Sequence, residues 1–192
     1  MTGVFPRDLG GGLVLTLATV ADAEESFAVV DSERERLRDW LPWVDQTTSA
    51  DSTRQFLAGA QRSDAETGSL HATIRLNGVL VGHADLRVAA PQPIGEIGYW
   101  LAAAAVGQGV MTRVVAELVD IGFGRLGLHR IQLQAATGNK RSRAIAERLG
   151  MHFEGVRREA EQLPKGFVDL AVYAMLAQEW PGGREALDRA RP

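Results

Sequence analysis

At 192 residues the chain is long enough for one domain with a sizeable core, and short for two. Hydrophobic residues at 45% and charged residues at 23% exclude disorder, and a cysteine count of zero excludes disulfide frameworks, thiolate zinc sites and cysteine nucleophiles. The formal charge of −3 gives no electrostatic case for nucleic acid, and the longest apolar runs fall far short of the ~20 residues that cross a membrane.

A first strand is expected over Leu13 to Ala18, entered through Gly10-Gly11-Gly12. Thr19 reads as the N-cap of a helix reaching Val30, with acidic residues in its first turns. Asp31 and Ser32 can cap a second short helix that Pro42 ends, and a third is expected from Asp51 to Ala65. From Gly68 the pattern turns to strands: Leu70 to Leu76, an Asn77-Gly78 turn, Val79 to Val88, then Ile94 to Ala102. A helix from Gln108 to Leu126 carries Met111, Val114, Val115, Leu118 and Ile121 on one face. Ile131 to Ala136 is a strand, Asn139 to Leu149 a helix, and Met151 to Glu161 with Phe167 to Leu176 a closing strand pair. Residues 181–192 are expected to form a polar tail beyond a single domain over 1–180. The class is mixed α/β.

Four scattered histidines lack metal-ligand spacing, so no metal is expected. The N-terminus lacks a basic stretch followed by an apolar core, which favours a cytoplasmic protein. A literal GxGxxG at Gly122 to Gly127 ends a helix and precedes a strand, the reverse of a dinucleotide fingerprint. The cluster Val106-Gly107-Gln108-Gly109-Val110-Met111-Thr112 does follow a strand and open a helix. It reads either as a plain strand–helix turn or as an amide nest suited to a pyrophosphate.

Glu96 shares a strand face with Ile94, Gly98 and Trp100, and a carboxylate there is costly unless something uses it. It reads as a partner for an arginine or as a general base, with room for a ligand over Gly98. Asn139 reads as an N-cap, and Ser142 as the polar residue at the inner end of the Ile145, Ala146, Leu149 stripe.

In order and spacing these segments resemble the GNAT superfamily of N-acetyltransferases, and more closely its branch of ribosomal-protein N-terminal acetyltransferases. The likeness spans Leu13 to Trp180. It rests on Trp40-Leu-Pro-Trp43, Gly95 to Leu101, Gly107 to Thr112, Asn139-x-x-Ser142, Gly150, Glu154-Gly155, Asp169 and Tyr173. The resemblance implies a single, largely antiparallel mixed sheet, splayed between the strands of Glu96 and Ile131, with helices on both faces. Acetyl-CoA would lie in the split, its pantetheine paired with backbone of Tyr99, Trp100 and Leu101 and its pyrophosphate in the nest, near Asn139. Val106 and Met111 depart from the usual residues, and Ala146 stands where many members carry a tyrosine acid.

The resemblance also implies a glutamate base at Glu96 and a serine, Ser142, beside the CoA sulfur. Trp40, Trp43 and Asp169 are candidates for the acceptor side, and each also has a structural reading. Tyr173 is expected to be a core residue whose hydroxyl has a partner. The expected activity is direct acetyl transfer to an amine, foremost a protein or peptide N-terminal α-amine. A small-molecule amine acetyltransferase and a non-catalytic acyl-CoA-binding module are the rivals. Dimers are common among such proteins, which makes a homodimer compatible with the resemblance.

Overall fold

Asn77 and Gly78 both adopt positive φ, 52° and 83°, the geometry of a tight hairpin turn. They join strand β3 (Leu70–Leu76) to β4 (Val79–Val88), and Leu76 pairs with Val79 across the turn. The computed structural model describes residues 4–189. It forms an eight-stranded sheet in the order β1-β2-β3-β4-β5-β6-β8-β7. The other strands are β1 (Arg7–Asp8), β2 (Leu13–Leu17), β5 (Ile94–Leu101), β6 (Arg130–Ala136), β7 (His152–Leu163) and β8 (Gly166–Leu176). Among the described strands only the β5–β6 pair runs parallel, joined by the crossover helix α4 (Val110–Gly124). No described helix is long and apolar enough to cross a membrane.

Helix α4 covers one face of the sheet. Its Val114, Val115 and Leu118 pack with Leu15, Ile74, Leu86, Ile97 and Ile131 in the main core. Full burial of such a side chain stabilises the fold by ~1.5–3 kcal/mol. Helix α5 (Lys140–Arg148) lies on the same face, with Ala146 against Leu133 and Tyr173. Helices α1 (Ala23–Ser32), α2 (Arg34–Leu37) and α3 (Ala50–Thr67) lie on the opposite face, where Ser26 meets His83, Leu37 packs in the cluster of Trp100, and Asp64 holds His71. Ser49 caps α3 by accepting from the Ser52 N–H, and Gly68 ends it at φ 78°.

Three local expectations change. Thr19 opens a 3₁₀ turn, Val20–Asp22, and α1 starts only at Ala23. Asp31 and Ser32 cap nothing: α1 runs through both, Ser32 donates to the Val29 carbonyl, and Asp31 pairs with Arg34. The expected polar tail is partly a helix, α6 (Gly183–Arg189). Its Ala186 is buried in the core, and Asp120 of α4 accepts from the Trp180 indole at 2.6 Å and the Gly183 N–H at 2.8 Å.

Candidate active site

The parallel ladder between β5 and β6 ends at its fourth pair, Ile97↔Leu133. Beyond it β5 stays paired with β4, through Gly98↔Asp85, Tyr99↔Ala84, Trp100↔His83 and Leu101↔Gly82. Ala102 N–H donates to the Val81 carbonyl, so strand alternation aims the Tyr99 and Leu101 backbone away from β4, into the split. The Leu101 carbonyl already accepts from Arg36 at 2.7 Å, which leaves the Tyr99 backbone as the open edge.

Helix α5 begins beside this split. Asn139 caps it, accepting from Ser142 N–H at 3.1 Å, and Ser142 Oγ lies 2.9 Å from the Tyr99 hydroxyl. Burial pushes the Tyr99 phenol up to about 12, against the opposing Ser142 hydrogen bond, so it stays a neutral hydroxyl at ordinary pH. Gly107 and Gly109 take φ 82° and 71°, and a Cβ at either would meet nothing within 4 Å. Gly109 caps α4, so the N–H groups of Val110, Met111 and Thr112 start the helix without intrahelical acceptors. Gln108 ties the loop back, donating to the Ala104 carbonyl at 2.6 Å.

A cavity of about 820 Å³ connects the split to the space under α1–α3. It brings together Trp40, Trp43, Glu96, Tyr99, Trp100, Leu101, Val106, Met111, Asn139 and Ser142 among the residues expected from sequence. Gly107 to Val110 and Thr112 are not on its wall, and neither is Asp169. The Asp169 carboxylate accepts from Glu159 N–H at 2.8 Å, where β7 bulges, which is a structural post. Tyr173 is buried, with its hydroxyl bonded to Arg143 and Glu147, as a core role requires. Trp43 and Trp100 meet at 6.5 Å between ring centroids, and His83 stacks on Trp100 at 5.5 Å.

Residues 13–152 match the acetyltransferase (GNAT) domain family. A Bacillus subtilis (strain 168) protein, YdaF, is 31% identical over 181 residues, covering 93% of this chain and 99% of the relative. The chain belongs to the GNAT acetyltransferase family. YdaF carries the provisional name of a ribosomal N-acetyltransferase. The ribosomal-protein-serine acetyltransferase of Escherichia coli (strain K12) is 25% identical, over 78% of this chain and 84% of its own. A structure of Mycobacterium smegmatis RimJ with a CoA-disulfide superposes with a TM-score of 0.84 at 25% identity, covering 93% and 88% of the two chains.

Within this GNAT site the carboxylates differ sharply. Glu96 is held by three donors: Oε1 accepts from Arg87 at 2.7 Å, and Oε2 from Gln132 and Gln134, each at 2.7 Å. Burial pushes its pKa up, but these three donors together outweigh it and hold it below 4.5. A carboxylate so held is a reluctant proton acceptor. Sequence reading missed Glu161 of β7, which lines the same cavity. Burial, and secondarily the charge of Glu96, raise its pKa above 4.5. Asp85 was also missed. It pairs with Arg87 at 2.5 Å, and burial raises its pKa against that pairing. Asp85, Arg87, Glu96 and Glu161 thus make one polar floor.

Sequence position carries a signal for Asp85 and Arg87, since strand alternation puts both on the face of the strand that pairs with Glu96. No comparable signal marks Glu161. Register shifts between Phe153 and Gly155 and between Arg157 and Glu161 decide which way its side chain points.

Proposed function

We propose that this chain transfers the acetyl group of acetyl-CoA directly to the α-amine at a protein or peptide N-terminus. The observation carrying it is the single cavity that joins the Tyr99–Ser142 hydroxyl pair to a floor holding Glu96 and Glu161. The names of YdaF and of the E. coli relative support the class of acceptor.

The residues present fit acetyl-CoA. The Gly107–Thr112 nest offers convergent N–H donors for a pyrophosphate, and the open Tyr99 backbone offers a strand edge for the pantetheine amides. When bound there, acetyl-CoA supplies a thioester carbon as electrophile. Glu161 takes the proton that the amine must lose, so that the nitrogen lone pair forms the new C–N bond. Glu96, held by Arg87, Gln132 and Gln134, keeps the negative field that attracts an ammonium and raises Glu161. As the C–S bond breaks, the Tyr99–Ser142 pair donates a hydrogen bond to the departing thiolate. Trp40, Trp43 and Trp100 give the cavity an aromatic wall.

Magnitudes favour an α-amine. With a pKa of ~7.7–8 it is roughly a tenth neutral at pH 7, whereas lysine at ~10.4 is about one part in two thousand. A carboxylate base whose pKa burial raises suits the former. The test is thiol release from acetyl-CoA with peptides bearing free N-termini, N-terminally blocked lysine peptides and small amines. Turnover of the free N-termini is expected. Acetylation confined to lysine ε-amines or to small amines overturns the reading.

A further inference from the structure

His71 on the cavity wall, with Asp64 behind it, forms a second polar device that acetyl transfer, as described above, does not use. His71 is the second residue of β3, and Asp64 lies in the last turn of α3. The Asp64 carboxylate is buried, at 3% side-chain exposure. One oxygen accepts from the His71 backbone N–H at 3.0 Å and the other meets the imidazole Nδ1 at 2.7 Å. Asp64 therefore fixes both the backbone and the ring of one residue. In the tautomer that donates Nδ1–H to Asp64, Nε2 is left as an acceptor. Nε2 has no hydrogen-bond partner among the described residues, and His71 lines the cavity.

The surroundings make a subsite. Phe56 of α3, 63% exposed, stands edge-on to the imidazole at 6.1 Å, and it lines the cavity with Ser52, Thr53 and Leu57. In the sheet His71 pairs with Asp85, which pairs with Gly98 of β5. Two strand spacings, roughly 9–10 Å, separate His71 from the strand bearing Glu96. An acceptor nitrogen at Glu161 and Glu96 would thus place a group one or two residues further along the peptide near His71.

We propose that the Asp64–His71 pair is a specificity subsite, accepting a hydrogen bond from a hydroxyl or carboxamide side chain within the first three residues of the acceptor. The inference rests on the N-terminal α-amine reading above. A neutral hydrogen bond contributes about 0.5–1.5 kcal/mol net, so the discrimination expected is up to about tenfold in kcat/KM. Asp64 acts here as a positioning residue, because it sets the tautomer and orientation of the ring.

The test is steady-state kinetics at saturating acetyl-CoA with short peptides that exchange Ser for Ala, and Asn for Leu, at positions one to three. The proteins compared are wild type, His71→Phe, His71→Gln and Asp64→Asn. Wild type is expected to prefer the donor-bearing peptide at one of these positions by several-fold to tenfold. His71→Phe should bring that ratio close to one while leaving the KM for acetyl-CoA unmoved. His71→Gln, whose amide oxygen reaches a similar place, should restore part of the ratio, and Asp64→Asn should reduce it. A merely structural strut would lower the melting temperature of the variants and leave the ratio intact.

A preference that survives His71→Phe, or its absence from wild type at all three positions, overturns the subsite alone. Turnover of no peptide, with small amines accepted, overturns the α-amine reading and the subsite with it.

Discussion

Exchanging each of two neighbouring carboxylates for its amide separates the base from the residue that merely orients. Glu161→Gln removes the proposed proton acceptor, and kcat/KM at pH 7 should fall by about 10²–10⁴-fold if it is the sole base. Raising the pH should recover part of this loss, because more of the amine is neutral without help. Glu96→Gln should cost less than tenfold, since amide oxygen still meets two of its three donors. Stability should move in the opposite sense.

Glu161 has its folded pKa raised above 4.5, so its charged form is disfavoured by folding. Its favourable contribution is complete below 4.5 and lost as pH rises through the raised value. Glu161→Gln should therefore raise the melting temperature at pH 7. Glu96 has its folded pKa lowered, so it stabilises above 4.5 and loses that contribution as pH falls through the depressed value. A hydrogen bond to a charged group is worth ~1.5–3 kcal/mol, but Glu96 and Arg87 keep 30% and 49% side-chain exposure, and solvent screening reduces this to about 1 kcal/mol. For a chain of this length that is a fall of about 2–4 °C at neutral pH, vanishing in acid. Calorimetry and thiol release on the same preparations decide the matter. Full activity in Glu161→Gln with a hundredfold loss in Glu96→Gln would invert the assignment.

Ser142→Ala should lower kcat on the order of tenfold, ~1.4 kcal/mol, and leave acetyl-CoA affinity within a few-fold. The Asn139 cap survives that change, so lost melting temperature with full turnover would reduce the serine to a structural residue. Gly109→Val should raise the KM for acetyl-CoA, since a side chain at φ 71° is strained and stands where a pyrophosphate approaches; unchanged CoA affinity in the folded variant, read by calorimetric titration, would refute the nest. Asp120→Ala strips the acceptor from Trp180 and Gly183 and should cost about 1–3 kcal/mol of stability with kcat retained; an unchanged melting temperature would show that α6 is not held through it.

What the sequence made legible was local. Asn77-Gly78 encodes its own turn, the α4 stripe encodes its own buried face, and Gly107 and Gly109 fall where a strand meets a helix. Strand alternation singled out Glu96, the family resemblance singled out Tyr99 and Ser142, and all three line one cavity. What stayed hidden depends on partners far along the chain. Glu96 read either as an arginine's partner or as a base, because the amides that also hold it, Gln132 and Gln134, lie 36 and 38 residues away. The α6 helix looked like a tail because its anchor, Asp120, sits 63 residues earlier.

The Tyr99 side chain shows how one local signal can be read at half its meaning. Alternation put Tyr99 on the face of Ile97 and Leu101, away from Glu96, and the resemblance gave it only a backbone role. That same face is where α5 begins, so the phenol is carried to Ser142 while the Tyr99 backbone stays at the open edge. One residue thus contributes a strand edge and a hydroxyl to the same split. The divergence of β5 from β6 forgoes ladder hydrogen bonds, and each unmet backbone group shielded from water costs ~1–3 kcal/mol. A bound amide chain meets those groups, and the α5 N-terminus fits beside it because the ladder stops at Ile97. The open strand edge and the Tyr99–Ser142 hydroxyl pair, to which the cofactor and leaving-group roles are proposed, therefore share a single cause, the early end of one parallel pairing.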